Sequence, residues 1–503
     1  MSGEPSPDRV APEAKTGLDP WVEGELPPPP EPTGLAWLGV VGPGVIVLGA
    51  SIGSGEFLLG PAAFVKYGLS LLWVTGLAAF LQTVFNTELM RYTLATGEPI
   101  FSGFMRTRPG ARFWGFVYSL LYVLQVGWPG WAGAAAGAVF FLFAGRVAAT
   151  GDEHAVYLIG VGTFAACVAI LAVGRRIERT LEILNWILVA MILGGFVGLA
   201  VALVAPQTWL AAIAGFIGFA PATGRFQLIP ADADFFLIGA FAAYSGAGGM
   251  INLTLSNWAR DKGYGMAAGA GYIPAATAGR HVHLTHTGFR FEPDAAALER
   301  WRGWWRVVRA DQWGVYFIGA IVGMALPGMI YVTFLPAGSD IRGLGIAAAL
   351  ADALRERAAP WIGIFVALLG VWVLFKTQLD ILDGVTRALT DILWTGSRRL
   401  RRNPNADVRA VYYGVLLALS LWGVVALRLT QPIVLLQIGA NMAGIVFIVT
   451  SIHLLRVNTT LLPPELRPPT WRRLVLIGVA VFYGSFVSLW LASLVGRSGT
   501  ALG

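Results

Sequence analysis

Charge is what this chain has least of. Asp, Glu, Lys and Arg make up 13% of its 503 residues, roughly half the share of a soluble globular domain. Apolar types make up 56%. That scarcity excludes a string of ordinary soluble domains. It fits a chain whose main solvent is lipid, where a charge at mid-depth costs several kcal/mol. Cysteine is nearly absent. Cys167 stands alone in an apolar run, which excludes a disulfide framework and a thiolate zinc cluster. There is no P-loop, no nucleophile elbow and no dinucleotide-binding glycine pattern between a strand and a helix. Nothing therefore points to an enzyme, to a resident cofactor or to nucleotide-driven pumping. The formal charge of +7 sits in short Arg- and Lys-bearing loops. It reads as the excess that cytoplasmic loops carry, not as a nucleic-acid surface.

What the chain does have is long apolar runs. Eleven are long enough to cross about 30 Å of hydrocarbon as helices: 35–64, 70–93, 113–145, 155–173, 180–205, 234–259, 312–337, 361–394, 409–427, 431–455 and 471–496. Basic loops follow spans 2, 4, 6, 8 and 10, as in MRTRPGAR and SRRLRRNPNADVR. One alternation satisfies all of them, with the N-terminus cytoplasmic. Residues 1–34 are polar, acidic and proline-rich and lack an apolar h-region. They read as a disordered cytoplasmic tail with no cleavable signal. The expected organisation is all-α and multi-pass in a cell (inner) membrane. A first group of five helices spans 35–205, an extracytoplasmic loop 206–233, a second group 234–455 with a cytoplasmic loop at 261–311, and a last helix with its tail 456–503.

Two spans carry glycine clusters at mid-depth. Span 1 reads GVIVLGASIGSGEFLLGPAAF, with Gly49, Gly53 and Gly55 beside Ser51, Ser54 and Glu56. Span 6 reads LIGAFAAYSGAGGMINLTLSNWA, with Gly246, Gly248 and Gly249 beside Ser245. Each glycine weakens a helix by about 1 kcal/mol relative to alanine. Taken singly, each could serve only close helix packing. The pair changes the reading. Spans 1 and 6 open corresponding halves, and an offset of five spans turns those halves over relative to one another. Interrupted helices at matching positions of inverted halves mark a carrier's substrate site, and unwound backbone there must line a polar cavity. Glu56 is a carboxylate at that depth and a functional candidate by default. The expected binding set is Gly53, Ser54, Glu56, Ser245, Gly246 and Gly249, with Glu56 as the metal-type ligand.

Span 8 contains FKTQLDILDGVTRALTD. Lys376, Asp380, Asp383, Arg387 and Asp391 fall on one helical face. They can pair along the helix, Lys376 with Asp380 and Arg387 with Asp383 or Asp391. The stripe is either self-neutralised or a relay in which Asp380 or Asp383 carries an ion or proton. Gln378 lies off that face and could ligate a solute. In the loop, HVHLTH (His281, His283, His286) is a weak metal candidate. RWRGWWRVVR (Arg300–Arg309) reads as an interfacial helix. Gln437 with Asn441, and Asn86 with Glu88, could face a cavity or bond between helices.

GPGVIVLGASIGSGEFLLGPAAF followed by TGEPIFSGFMR resembles the first two helices of the Nramp family of divalent-metal transporters. FKTQLDILDGVTRALTDILW resembles that family's eighth helix, including Gln378. The resemblance implies a LeuT-like fold of two inverted five-helix repeats plus an eleventh helix, with proton-coupled or facilitated uptake of divalent cations. The family's Asp-Pro-Gly-Asn motif falls on Gly53, Ser54, Gly55 and Glu56. Its Met-Pro-His motif is absent, and its place is taken within Gly246–Ile251, close to Met250. One carboxylate, hydroxyls and carbonyls suit magnesium or calcium better than manganese or iron. IGSGEF and AFAAYSGAGG are also similar to the first and sixth helices of amino-acid permeases, which implies an organic solute held at the exposed N–H groups of a broken helix. Glu56 favours a small cationic substrate over that alternative.

Overall fold

The computed structural model describes residues 16–173, 177–275, 284–341, 346–403 and 405–500. Ten helical stretches among them are long and apolar enough to cross a bilayer: Pro43–Tyr67, Leu69–Thr96, Ala111–Ala144, Glu153–Ala172, Ile177–Leu203, Ala295–Phe334, Pro360–Gly396, Val408–Ala426, Pro432–Thr460 and Thr470–Val495. Of these, Ala111–Ala144 is interrupted after Val126, as Ala111–Val126 and Gly130–Ala144. The eleventh crossing, span 6, is two helices, Phe235–Ala243 and Met250–Lys262. These eleven crossings follow the apolar runs of the sequence in number and order.

Span 1 is wholly buried and forms the centre of the bundle, whereas spans 4, 5, 9 and 11 bury only a minor part of their apolar length. Their outer faces carry exposed side chains such as Val201, Leu417 and Val481. Apolar surface on that scale needs a bilayer around it. Span 8 lies directly against span 1, and spans 10 and 11 pack on span 6. The loop after span 5 holds a short helix, Pro206–Gly215, and a small hairpin pairing Phe219–Ala220 with Arg225–Phe226.

Two expectations need correction. Residues 16–34 form an ordered strap, not a disordered tail. Val22–Glu23 pairs in parallel with Phe289–Arg290, and Leu18 and Leu26 are buried. The proline run has few backbone donors of its own, but its carbonyls are used: Trp304 Nε1 donates to Pro27 O (2.9 Å) and Arg300 Nη1 to Leu26 O (2.8 Å). RWRGWWRVVR, in turn, is not a separate interfacial helix. It belongs to the first half of the 40-residue helix Ala295–Phe334. Its tryptophans bury against the strap and the bundle, and Trp305 stacks under the guanidinium groups of Arg91 and Arg472.

Candidate functional site

Span 1 does not break. Residues Ile52–Leu59 wind as a π-helix inside an otherwise continuous helix. π-turns widen the backbone and recur at functional sites. The glycines of this span are sites of close approach. A Cβ on Gly49 would overlap the Lys376 side chain, one on Gly53 would overlap Thr377, and one on Gly55 would overlap the carbonyl of Tyr244. Thr377 bridges the start of the wide turn, accepting from Gly53 N (3.1 Å) and donating to Gly49 O (3.0 Å).

Span 6 does break, as expected, and its glycines work differently. Gly246, Gly248 and Gly249 have φ of 125°, 75° and 63°, values that side-chain-bearing residues rarely adopt. The freed backbone groups were expected to face a polar cavity. Protein side chains meet them instead. Gln125 accepts from Met250 N (2.9 Å) and donates to Gly248 O (2.6 Å). Gln82 donates to Ser245 O (3.2 Å) and Tyr483 Oη (2.8 Å), and accepts from Gly248 N (3.4 Å) and Tyr316 Oη (2.9 Å). Tyr316 Oη in turn accepts from Ala247 N (3.1 Å). Asn252 links Gln82 to Asn86, which donates to Gln312. Gln312 donates to Asp311, whose other oxygen accepts from Gly42 N and Gly44 N, each at 3.0 Å, at the start of span 1. One polar network thus joins the break in span 6 to the N-terminal end of span 1. Gln82, Gln125, Asn252 and Tyr316 were missed in the sequence. The available signal was a lone amide in an apolar run, the same signal that marked Gln437 and Asn441.

Glu56 lies in the wide turn of span 1 and is fully buried, and neither carboxylate oxygen has a hydrogen-bond partner among the described residues. Ser51 is its neighbouring hydroxyl, but that proton is given to Leu48 O (2.7 Å). Lys376 and Tyr316 are close enough to act on Glu56 electrostatically, and neither forms an ion pair or hydrogen bond with it. The Glu56 side chain runs beside Gly323 of span 7. Lys66 pairs with Asp234 at 3.8 Å.

The structure brings Gly53, Ser54, Glu56, Ser245, Gly246 and Gly249 into one region, because Gly55 and Tyr244 touch where the wide turn meets the break. Ser54 is buried. Ser245 Oγ donates to Phe241 O (2.9 Å). Gln378 points elsewhere. Its buried amide has no partner among the described residues and lines a cavity of about 40 Å³ with Trp131, Phe164, Leu382 and Trp422, between spans 3, 4, 8 and 9.

The stripe of span 8 pairs much as its spacing implies. Lys376 meets Asp380 at 2.8 Å and Arg387 meets Asp383 at 2.9 Å. Asn185 also donates to Asp380 (2.8 Å), and Trp258 (3.0 Å) and Tyr412 (2.6 Å) donate to Asp383. Asp391 does not pair with Arg387. It takes Arg260 of span 6 at 2.5 Å, while Arg387 reaches Asp261. Asn441 donates to Phe236 O (2.9 Å) and ties span 10 to span 6. Glu88 is held by Arg91 and Arg472. His281 and His283 lie outside the described residues. His286 stacks on Trp394, and no group of three His, Cys, Asp or Glu converges among the described residues.

No protein-family model matches the chain, and no curated protein matches it in sequence. Solved structures do. A mutant of the Eremococcus coleocola manganese transporter is 16% identical, with 94% of this chain and 90% of that one covered and a TM-score of 0.63. The same transporter in complex with an aromatic bis-isothiourea substituted compound is 14% identical over 96% and 91%, at 0.59. A nucleobase-cation-symport-1 family transporter, closed with bromovinylhydantoin bound, is 11% identical over 92% and 93%, at 0.54. All of these are transporters, and none is an enzyme. The shared feature is the fold, and the chain is an all-α membrane protein of LeuT-like architecture.

Proposed function

We propose that this chain is an alternating-access carrier of a small cation, and that Glu56 is the charged group that receives it. The observation that carries this reading is the buried carboxylate with no hydrogen-bond partner among the described residues. Ionising a buried carboxyl group without a counter-ion or donor costs several kcal/mol. A visiting cation supplies a partner for the carboxylate. In this reading the remaining ligands are backbone carbonyls of the wide turn and the Ser54 hydroxyl. An oxygen-only set favours magnesium or calcium over manganese or iron. The manganese transport named for one fold neighbour supports a divalent ion as cargo. Asp380 and Asp383 are the proposed ion or proton route, which requires them to exchange Lys376 and Arg387 for a mobile partner. The membrane is taken as the cytoplasmic (inner) one with the N-terminus inside, on the loop charges.

The test is uptake into proteoliposomes by the wild type and Glu56→Gln, over magnesium, calcium, manganese and cadmium. Uptake of a hard ion should fall at least tenfold in Glu56→Gln while insertion stays normal. Wild-type uptake by the folded variant refutes the assignment, and a selective manganese or cadmium signal shows that Met250 or another soft donor reaches the site. One observation favours a second reading, an organic-solute carrier. Neutral amides, not acids, surround the break in span 6. Amino acids in the same uptake panel decide between the two.

A further inference from the structure

The proposed cargo site leaves unused a basic cavity at the cytoplasmic end of span 8. After Gly396 the chain makes a short helix, Arg398–Arg402. Arg398, Arg401 and Arg402 line a cavity of about 290 Å³, closed on its other side by Gly17, Leu18 and Asp19 of the strap. Three guanidinium groups face one carboxylate there. Arg398 and Arg401 are three residues apart and Arg398 and Arg402 four, so like charges share one helical face, an arrangement that opposes helix formation.

Arg401 is the least expected member. Its side chain is only 8% exposed, yet it spends two contacts on the strap, Asp19 at 3.2 Å and Gly17 O at 2.7 Å, and its Nε has no acceptor among the described residues. Asp19 is itself 60% exposed and neutralises at most one of the three charges. A half-open cavity with surplus guanidinium donors fits an anion with several oxygens, because arginine binds phosphate in a two-pronged fashion. The cluster follows directly on a helix long and apolar enough to cross a membrane, and basic clusters just beyond such helices attract anionic lipid headgroups.

We propose that this cavity binds a phosphate group, either a phospholipid headgroup or a soluble phosphate. The bound group joins the N-terminal strap to the cytoplasmic end of span 8. The strap also reaches the start of span 3, where Thr16 O accepts from Ala111 N (3.0 Å), so the anion closes a belt around that end of the bundle.

The experiment uses the full chain in mild detergent. An equimolar mixture of phosphatidic acid and phosphatidylcholine is added, and retained lipid is counted by native mass spectrometry. A parallel arm titrates inorganic phosphate without lipid by calorimetry. The wild type should retain phosphatidic acid at least fivefold over phosphatidylcholine, bind phosphate saturably, or both. Preference for the lipid alone identifies the headgroup as the source, and saturable heat alone identifies soluble phosphate. The triple variant Arg398→Gln/Arg401→Gln/Arg402→Gln should lose the effect. Arg225→Gln, in the hairpin after span 5, should keep it. If the triple variant fails to fold, Arg398→Gln/Arg402→Gln, which changes two exposed residues, should lower the preference at least threefold. No preference and no heat in the wild type, or an effect undiminished in folded variants, overturns the proposal.

Discussion

Glu56 and Gln125 are both polar residues in apolar spans, and they differ in what surrounds them. Gln125 uses both ends of its amide on the broken strand of span 6. Gln125→Ala leaves Met250 N–H and Gly248 C=O unsatisfied, at about 1–3 kcal/mol for each buried group. The variant should melt earlier by several degrees and lose transport with it. Glu56 behaves in the opposite way. Glu56→Gln removes a buried carboxyl group that has no hydrogen-bond partner among the described residues, so its melting temperature in the absence of cation should equal or exceed that of the wild type. Added magnesium or calcium should stabilise the wild type, since a ligand that binds only the folded state raises its stability, and should leave the variant unmoved. Loss of stability in Glu56→Gln without cation would show that the carboxylate has a structural partner.

At the scale of the helix, two glycine-rich stretches that look alike in sequence do different work. In span 6 the conformation is at stake. Gly249 has φ of 63°, and a Cβ there would also lie 2.6 Å from Gln125 Oε1. Gly249→Ala forces an L residue to φ 63° with ψ −105°, a sparsely populated conformation that costs roughly 1–3 kcal/mol, and pushes away the amide that caps the break. In span 1 the φ values are ordinary and the space is at stake. Gly55→Ala collides with the Tyr244 carbonyl, which is backbone and cannot rotate aside. Gly55→Ala should therefore move spans 1 and 6 apart and impair transport at least as severely as Gly249→Ala. Parallel uptake and melting measurements on the two variants check this. Equal tolerance of alanine at both positions would contradict the contact between the wide turn and the break.

The whole molecule is tied at its strap end by a buried pair outside the spans. Arg106 meets Glu98 at 2.5 Å, and Glu98 also accepts from Tyr92 Oη (2.6 Å) and Gly288 N (2.8 Å). Arg106 reaches on to Asp19 O (2.9 Å) of the strap. Burial alone would raise the Glu98 pKa, but the Arg106 charge and these donors hold it below the ordinary carboxylate range. A carboxyl group whose pKa is lowered by folding contributes stability above its unfolded value and loses it as pH falls through the folded one. The strap should thus hold at neutral pH and loosen in acid below about pH 4. Amide exchange at residues 18–26 should rise across that window in the wild type. In Glu98→Gln it should be high already at neutral pH and vary less with acid.

What can be read from the sequence alone is whatever is local along the chain. The eleven crossings follow from run length against bilayer thickness. The pairs Lys376–Asp380 and Arg387–Asp383 follow because residues four apart on a helix are neighbours in any fold. The break in span 6 follows from three glycines at one depth, since backbone preference is carried by the residue itself. The same reasoning misjudged span 1, because glycine permits both an unusual backbone and a close neighbour, and only the presence of Tyr244 and Thr377 opposite decides which. Contacts between distant parts of the chain were beyond it. Periodicity names the face a residue occupies but not the helix that lies across from it. Hence Asp391 takes Arg260 in place of Arg387, Gln378 turns from the region of Glu56, Gln82 and Gln125 cap a break more than a hundred residues away, and residues 16–34 find donors that hold them in place. Glu56 was visible as a buried carboxylate. That neither of its oxygens finds a hydrogen-bond partner among the described residues depends on every helix packed against it, and only the tertiary structure contains that.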